Sequence, residues 1–226
     1  MEQLRNYGDE RQVAWCVYCG AQTETRDHVP SRVFLDEPYP SNLPVVPACK
    51  ACNAGFSLDE EYLACLVDCA TVGSASVEAV RRGRVRKILG RKTALSSMLI
   101  QARSEWDDRA AITADADRLR NVILKLARGH AAYELNEPRY DEPLALGVLP
   151  FPSMYPDART AFETPPRPSI WPEVGSHATQ RVAVSFPASP GWIDVQPGRY
   201  RYLAAVGNSI VVRMVLSEYL ACEVVW

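Results

Sequence analysis

The chain has 226 residues, 47% hydrophobic and 23% charged, an ordinary balance for a globular protein able to bury a sizeable core. Its 25 Lys and Arg are answered by 27 Asp and Glu, a formal net charge of −2. No global basic field therefore marks a nucleic-acid binder, and any such role needs a local patch; no run of about 18 apolar residues argues for a membrane span.

The N-terminal stretch "MEQLRNYGDERQ" is polar and acidic where a secretory signal would be basic and then apolar. We therefore expect a cytoplasmic protein whose seven cysteines stay reduced. Four of them form two CxxC pairs, Cys16 and Cys19 in "CVYCG" and Cys49 and Cys52 in "CKAC". A CxxC turns two thiolates toward one ion, and two such knuckles complete a tetrahedral site. Structural zinc is thus expected on Cys16, Cys19, Cys49 and Cys52, with a redox pair or incidental thiols as the other readings. Residues 20–48 make an interval longer than the roughly 15–20 residues of a simple zinc ribbon, so something is inserted between the knuckles.

Within the insert, "ETRDHVP" reads as a short extended piece, because Pro30 biases Val29 away from the helical region. "NLPVVP", opened by Asn42, reads as a second extended piece, and "ACKACNAG" as a short helix stopped at Gly55 and carrying Asn53. Asp27 and His28 then end the first strand. Taken singly, an Asp-His pair is a surface turn, Asn42 is a turn residue beside Pro40 and Ser41, and Asn53 is a helix cap.

Taken together, Cys16 to Gly55 resembles an HNH endonuclease motif, a ββα-metal finger embedded in a zinc-stapled treble clef, in its DH…N…N variant. The resemblance implies a metal-dependent endonuclease acting on DNA. It implies His28 as general base, Asp27 and Asn53 as ligands of Mg²⁺ or Mn²⁺, and Asn42 as a hydrogen-bonding brace for the loop. The final position of the motif is often histidine; asparagine there is similar to HNH homing enzymes and the HNH domain of RNA-guided nucleases, where it is a metal ligand. Phosphodiester cleavage needs a water, a base and a cation. His28 is the one residue of the insert whose ordinary pKa, about 6 to 7, suits a base near neutral pH. A carboxylate at Asp27 suits a hard cation. Neighbouring strand residues point to opposite sides, so the strand end must bend to bring both to one phosphate. Arg26 and Arg32 flank the pair and read either as phosphate contacts or as surface residues.

Further along, "FSLDEEYL" reads as a capping box, Ser57 with Glu60, opening a helix from about Leu58 to Thr71. Alternatively Asp59, Glu60 or Glu61 adds a carboxylate to the site. Cys65 and Cys69 in that helix, and Cys222 in a strand-like stretch, read as core residues. Arg81, Arg82, Arg84, Arg86, Lys87, Arg91 and Lys92 form a basic run that either tracks a phosphate backbone or is a solvated helix face. "TALSSMLIQARSEW" and "DADRLRNVILKLARGHAAYEL", the latter containing His130, have apolar residues at helical spacing and read as packing helices.

From Glu137 prolines dominate and exclude long helices; the stretch reads as an ordered arm whose Phe151, Tyr155, Phe162 and Trp171 seek burial, with His177 in a loop. "TQRVAVSFP", "GRYRYLAAVG", "SIVVRMVL" and "YLACEVVW" read as antiparallel strands, with a hairpin turn at Gly207-Asn208. The expected fold is α+β: a zinc-bound HNH finger over 1–56, a helical region over 57–136, and the arm with an antiparallel β-sheet over 137–226. The expected partner is nucleic acid, most directly DNA, with a protein partner possible on the C-terminal sheet. A non-catalytic zinc-stapled module that binds nucleic acid or protein is the second reading.

Overall fold

The computed structural model describes residues 13–106, 109–166, 171–185 and 191–226. The N-terminal dodecapeptide read against a secretory signal, and Phe186 and Pro187 closing "TQRVAVSFP", lie outside the described residues. Strand β1 (Thr25–His28) pairs antiparallel with β2 (Val45–Ala48), Thr25 opposite Ala48 and His28 opposite Val45. Helix α1 (Lys50–Gly55) follows at once, with Cys49 at its N-cap accepting a hydrogen bond on Sγ from the Cys52 amide at 3.4 Å. The strand, strand, helix order between the cysteine pairs is thus formed as expected.

Helix α2 (Ser57–Val72) begins one residue later, and here the capping-box expectation is corrected. Phe56 holds the N-cap position in right-handed helical conformation, so Ser57 is already inside the helix and cannot cap it. Ser57 Oγ instead donates to the Asn53 carbonyl at 3.5 Å, and Glu60 turns into the core. Gly73, left-handed at φ +66°, ends α2.

Helices α3 (Gly83–Arg91) and α4 (Thr93–Gln101) are short. The helix expected to continue through Trp106 stops at Gln101; β3 (Arg103–Trp106) and β4 (Arg109–Ile112) form a hairpin there. Its base is closed by Thr113 N–H donating to the Ala102 carbonyl at 2.9 Å, a bond unavailable to a continuing helix. Helix α5 (Ala116–Leu135) starts on Asp115, whose carboxylate accepts from the Arg118 amide at 3.2 Å, and ends on Asn136, left-handed at φ +58°. Residues from Val122 to Leu135 are buried on nearly every side, so α5 is the spine of the molecule.

Five antiparallel strands form the C-terminal sheet: β5 (Ala145–Pro150), β6 (Ile193–Gln196), β7 (Tyr200–Val206), β8 (Ile210–Leu216) and β9 (Leu220–Val225), in the order β5-β9-β8-β7-β6. The β7–β8 hairpin turns at Gly207–Asn208 as expected, with Gly207 N–H donating to the Ser209 carbonyl at 3.0 Å. Strand β5 comes from the proline-rich arm; its single proline, Pro150, is its last residue, where a missing donor costs least. "TQRVAVS" is not a strand. It lies in helix α7 (His177–Ser185), which Ser176 opens by accepting from the Thr179 amide at 3.2 Å. The helical turn points Ala178 into the core and lets Arg181 make two bonds to Glu134 of α5, at 3.1 and 3.0 Å. Tertiary contacts override the β-branched alternation.

Helix α6 (Pro156–Glu163) carries proline in its first turn. With it, Phe151 and Phe162 cover Val215 and Ala221 on the outer sheet face. Tyr155 and Trp171, expected to be buried, stand 83% and 65% exposed; Met154 and Trp192 pack against that cluster instead. The main core joins the β1–β2 hairpin, α2, α5 and the inner sheet face, and it takes in Cys65, Cys69 and Cys222. Among the described residues no helix is long and apolar enough to cross a membrane.

Candidate metal centre and the Asp27–His28 site

The two CxxC knuckles meet. The Sγ atoms of Cys16, Cys19, Cys49 and Cys52 all lie within 4.8 Å of one another, and Cys19 and Cys49 are 3.7 Å apart. Four thiolates at about 2.3 Å from a tetrahedral zinc stand about 3.8 Å from each other, so the spacing fits that ion. The first knuckle is built by Gly20 N–H donating to the Cys16 carbonyl at 2.9 Å and Cys16 N–H to the Ala21 carbonyl at 2.7 Å. Gly20 takes φ +73°, which a side chain would resist. The Cys52 amide on Cys49 pulls that thiol down to about 7, toward the thiolate that binds metal. Burial, then the neighbouring sulfurs, push Cys52 up, a crowding of charge that a divalent cation would relieve. The four cysteines are positioned to bind a metal ion.

Asp27, 8% exposed, faces inward from β1. Its Oδ2 accepts from Tyr18 Oη at 2.8 Å and pairs with Lys125 Nζ at 2.7 Å. Lys125, 2% exposed on α5, also bonds Glu60 Oε1 at 2.6 Å and Ser31 Oγ at 2.8 Å, and Ser31 donates to Glu60 in turn. One ammonium therefore joins carboxylates from β1 and α2, within reach of the Tyr18 and Phe56 rings (5.6 and 5.9 Å). With both carboxylates ionised the cluster keeps one uncompensated negative charge. Asp27 Oδ1 has no hydrogen-bond partner among the described residues.

His28 is half-buried, on the opposite side of β1. Its Nε2 is 3.1 Å from Arg32 Nη2. A guanidinium only donates, so Nε2 is the acceptor and the ring is neutral with its proton on Nδ1. Burial first, then the Arg32 charge, hold the imidazole below its ordinary range. The sequence expectation of an unshifted ring is corrected in that direction. Asn53 of α1 donates from Nδ2 to Thr25 Oγ1 at 3.1 Å and to the Arg26 carbonyl at 3.2 Å. This stitches the helix to β1 one residue from Asp27, and Asn53 Oδ1 accepts no hydrogen bond among the described residues. Asn42 is half-buried in the turn that Leu43 N–H closes on the Pro40 carbonyl at 3.3 Å; its amide makes no hydrogen bond among the described residues. Arg26 is exposed beside the pair.

Of the three acids weighed near the site, only Glu60 reaches it. Asp59 binds Arg118 and Asn121, each at 2.7 Å, and Glu61 binds Lys92. Lys125 escaped the sequence reading. Its signal was a single cation inside "VILKLA", flanked in sequence by apolar residues on both sides. Comparison with known proteins found no matching family model, no matching curated protein and no matching solved structure.

Proposed function

We propose that this chain is a metal-dependent endonuclease of the HNH kind, hydrolysing phosphodiester bonds in DNA, with a zinc ion stapling its finger. One observation carries the reading: the imidazole of His28 and oxygen donors at Asp27 and Asn53 share one hairpin and helix, which Asn53 ties together. In this reading His28 Nε2 takes the proton of the attacking water once Arg32 has moved aside to the substrate phosphate. Lys125 and Tyr18 fix Asp27 through Oδ2, which leaves Oδ1 for a cation. Asp27 and Asn53 would hold Mg²⁺ or Mn²⁺, which when bound supplies positive charge opposite the phosphate. The Asn53 bonds to Thr25 and Arg26 keep its donor at the mouth of the hairpin.

The test is nicking of supercoiled plasmid with Mg²⁺ by wild type and His28→Ala at equal zinc content. Loss of a general base should slow cutting by about 10²–10⁴-fold. Asp27→Ala and Asn53→Ala should instead raise the Mg²⁺ concentration needed. The base must be neutral, so activity falls as pH drops through the His28 pKa, and that fall should lie below the ordinary histidine value of about 6.5. If His28→Ala cuts as fast as wild type, the reading fails. A second reading, a zinc-stapled binding module without cleavage, draws on the engagement of His28 by Arg32 and of Asp27 by Lys125. Retained DNA binding with no Mg²⁺-dependent nicking at any pH would favour it.

A further inference from the structure

The basic run that follows α2 separates into two chemistries. Arg82 is buried, its Nε bonding Asp36 at 2.7 Å and its Nη2 the carbonyls of Val33 and Leu35 at 3.0 and 2.7 Å, so it is structural. Arg199 from the C-terminal part takes the other Asp36 oxygen at 2.5 Å, so that carboxylate is already answered by two guanidinium groups. Arg81, Arg84 and Lys87 are exposed, and none has a carboxylate partner among the described residues. They line a hollow of about 580 Å³ between the loop after β1 and the start of α3. The other carboxylate there is Glu37, exposed and accepting from Tyr39 Oη at 3.1 Å. A protein with net charge −2 thus gathers unpaired cations at one place.

That place is joined to His28 by contiguous side chains. Arg32 Nη2 bonds His28 Nε2 at 3.1 Å, its guanidinium lies 5.4 Å from the Tyr39 ring centre, and Tyr39 Oη accepts from Arg84 Nη1 at 2.6 Å. Along α3, Arg84, Lys87 and Arg91 recur at helical spacing while Val85 and Leu89 face the core, so the cations share the outer side. The cations come from two elements, Arg32 after β1 and Arg84 and Lys87 on α3, joined through Tyr39, an arrangement suited to successive charges of a polymer rather than to one small anion. We propose that Arg32, Arg84 and Lys87 form a track for the sugar-phosphate backbone of a DNA strand. The strand whose phosphate lies at His28 passes over Tyr39 onto the first turns of α3. The same contact draws Arg32 from Nε2 and uncovers the base. The inference rests on the reading of His28 as the nuclease base.

The test measures binding of a short fluorescein-labelled DNA duplex by anisotropy against NaCl concentration, in full-length His28→Ala protein without added divalent cation so that nothing is cut. Arg84→Gln/Lys87→Gln alters only exposed side chains, and zinc content and thermal unfolding check its fold. Each phosphate contact contributes about 0.9 to the slope of log K against log salt, so the double variant should be shallower by nearly two and bind more weakly. Arg120→Gln/Arg139→Gln, an equal loss of charge on α5 and the arm, should leave the slope near wild type. An unchanged slope, an equal loss in the control pair, or no binding of the duplex at all would overturn the track. The two readings fail separately. Cutting that survives His28→Ala, with binding lost in Arg84→Gln/Lys87→Gln, sinks the His28 mechanism and keeps the track. Cutting that needs His28, with a slope indifferent to Arg84 and Lys87, does the reverse.

Discussion

Replacing Lys125 by methionine keeps most of the apolar stem and deletes the ammonium. In the native protein that nitrogen holds Asp27 at 2.7 Å, Glu60 at 2.6 Å and Ser31 at 2.8 Å, and its side chain is 1% exposed. Without it two carboxylates remain close together, both nearly out of water, with only Tyr18 and Ser31 as donors. Removing one partner of a buried ion pair costs about 3–5 kcal/mol, chiefly from the charge left behind. Against a total stability of about 5–15 kcal/mol, that brings the protein near its unfolding threshold. Glu60→Gln added to Lys125→Met removes one of the two stranded charges. The double variant should therefore recover about half the loss, about 2 kcal/mol. Urea unfolding of zinc-loaded protein, followed by tryptophan fluorescence, measures both. A loss below about 1 kcal/mol in Lys125→Met, or no recovery in the double variant, would show that Lys125 is not the counterion of Asp27 and Glu60.

Gly129→Ala would put a methyl group 2.6 and 2.9 Å from the two methyls of Val29, whose backbone is fixed at the end of β1. Overpacking of about 1–3 kcal/mol should exceed the helix-propensity gain of about 1 kcal/mol, and Val29→Ala should relieve it; a Gly129→Ala protein as stable as wild type would refute the close approach. Cys52→Ser should lose zinc and unfold the finger, since a site of this kind contributes about 10–16 kcal/mol in small fingers, and wild type purified without chelator should carry near-stoichiometric zinc by elemental analysis. His130 is fully buried between Tyr200, bonded at 2.8 Å, and Tyr202, stacked at 3.7 Å, and burial holds its pKa well below the usual 6.5. The unfolded chain binds this proton first, so its contribution is complete above about pH 6.5 and is lost as pH falls below it, by up to about 1.4 kcal/mol per unit. His130→Gln should flatten that part of the urea-midpoint profile between about pH 6.5 and 5; an unchanged profile would exclude His130 as its source.

What could be read from the sequence was local. Two CxxC pairs, a proline after Asp27-His28-Val29 and an asparagine beside Cys52 set the order of β1, β2 and α1, because each signal acts within a few residues. The long apolar periodicity of "RLRNVILKLARGHAAYEL" likewise gave α5, and the strands β7 to β9 followed from their alternation. The errors came where partners are distant. "TQRVAVS" has the residues of a strand but folds as α7, because Arg181 finds Glu134 and His177 stacks on Tyr133 at 4.2 Å. The Ser57 capping box failed because α1 and α2 abut, a fact of chain geometry that the motif does not encode. Nothing near Asp27 announces Lys125, because the pairing depends on how α5 crosses the hairpin.

That crossing explains why so small a unit can hold a defined arrangement of side chains. A hairpin of two four-residue strands and a helix of six has little core of its own. Here the residues on either side of His28 are both gripped by α5: Asp27 by the ammonium of Lys125, and Val29 by the bare backbone at Gly129 one turn further on. The next residue, His130, and Glu134 after it, meet Tyr200 and Tyr202 of the sheet at 2.8 and 2.5 Å. One helix therefore anchors the strand end that carries His28 and ties it to the C-terminal sheet. A metal ion on the four cysteines would fix the ends of this segment, but the orientation of the Asp27–His28 pair is fixed from outside it. Damage to the α5 face should disturb that pair while leaving the four cysteine sulfurs together.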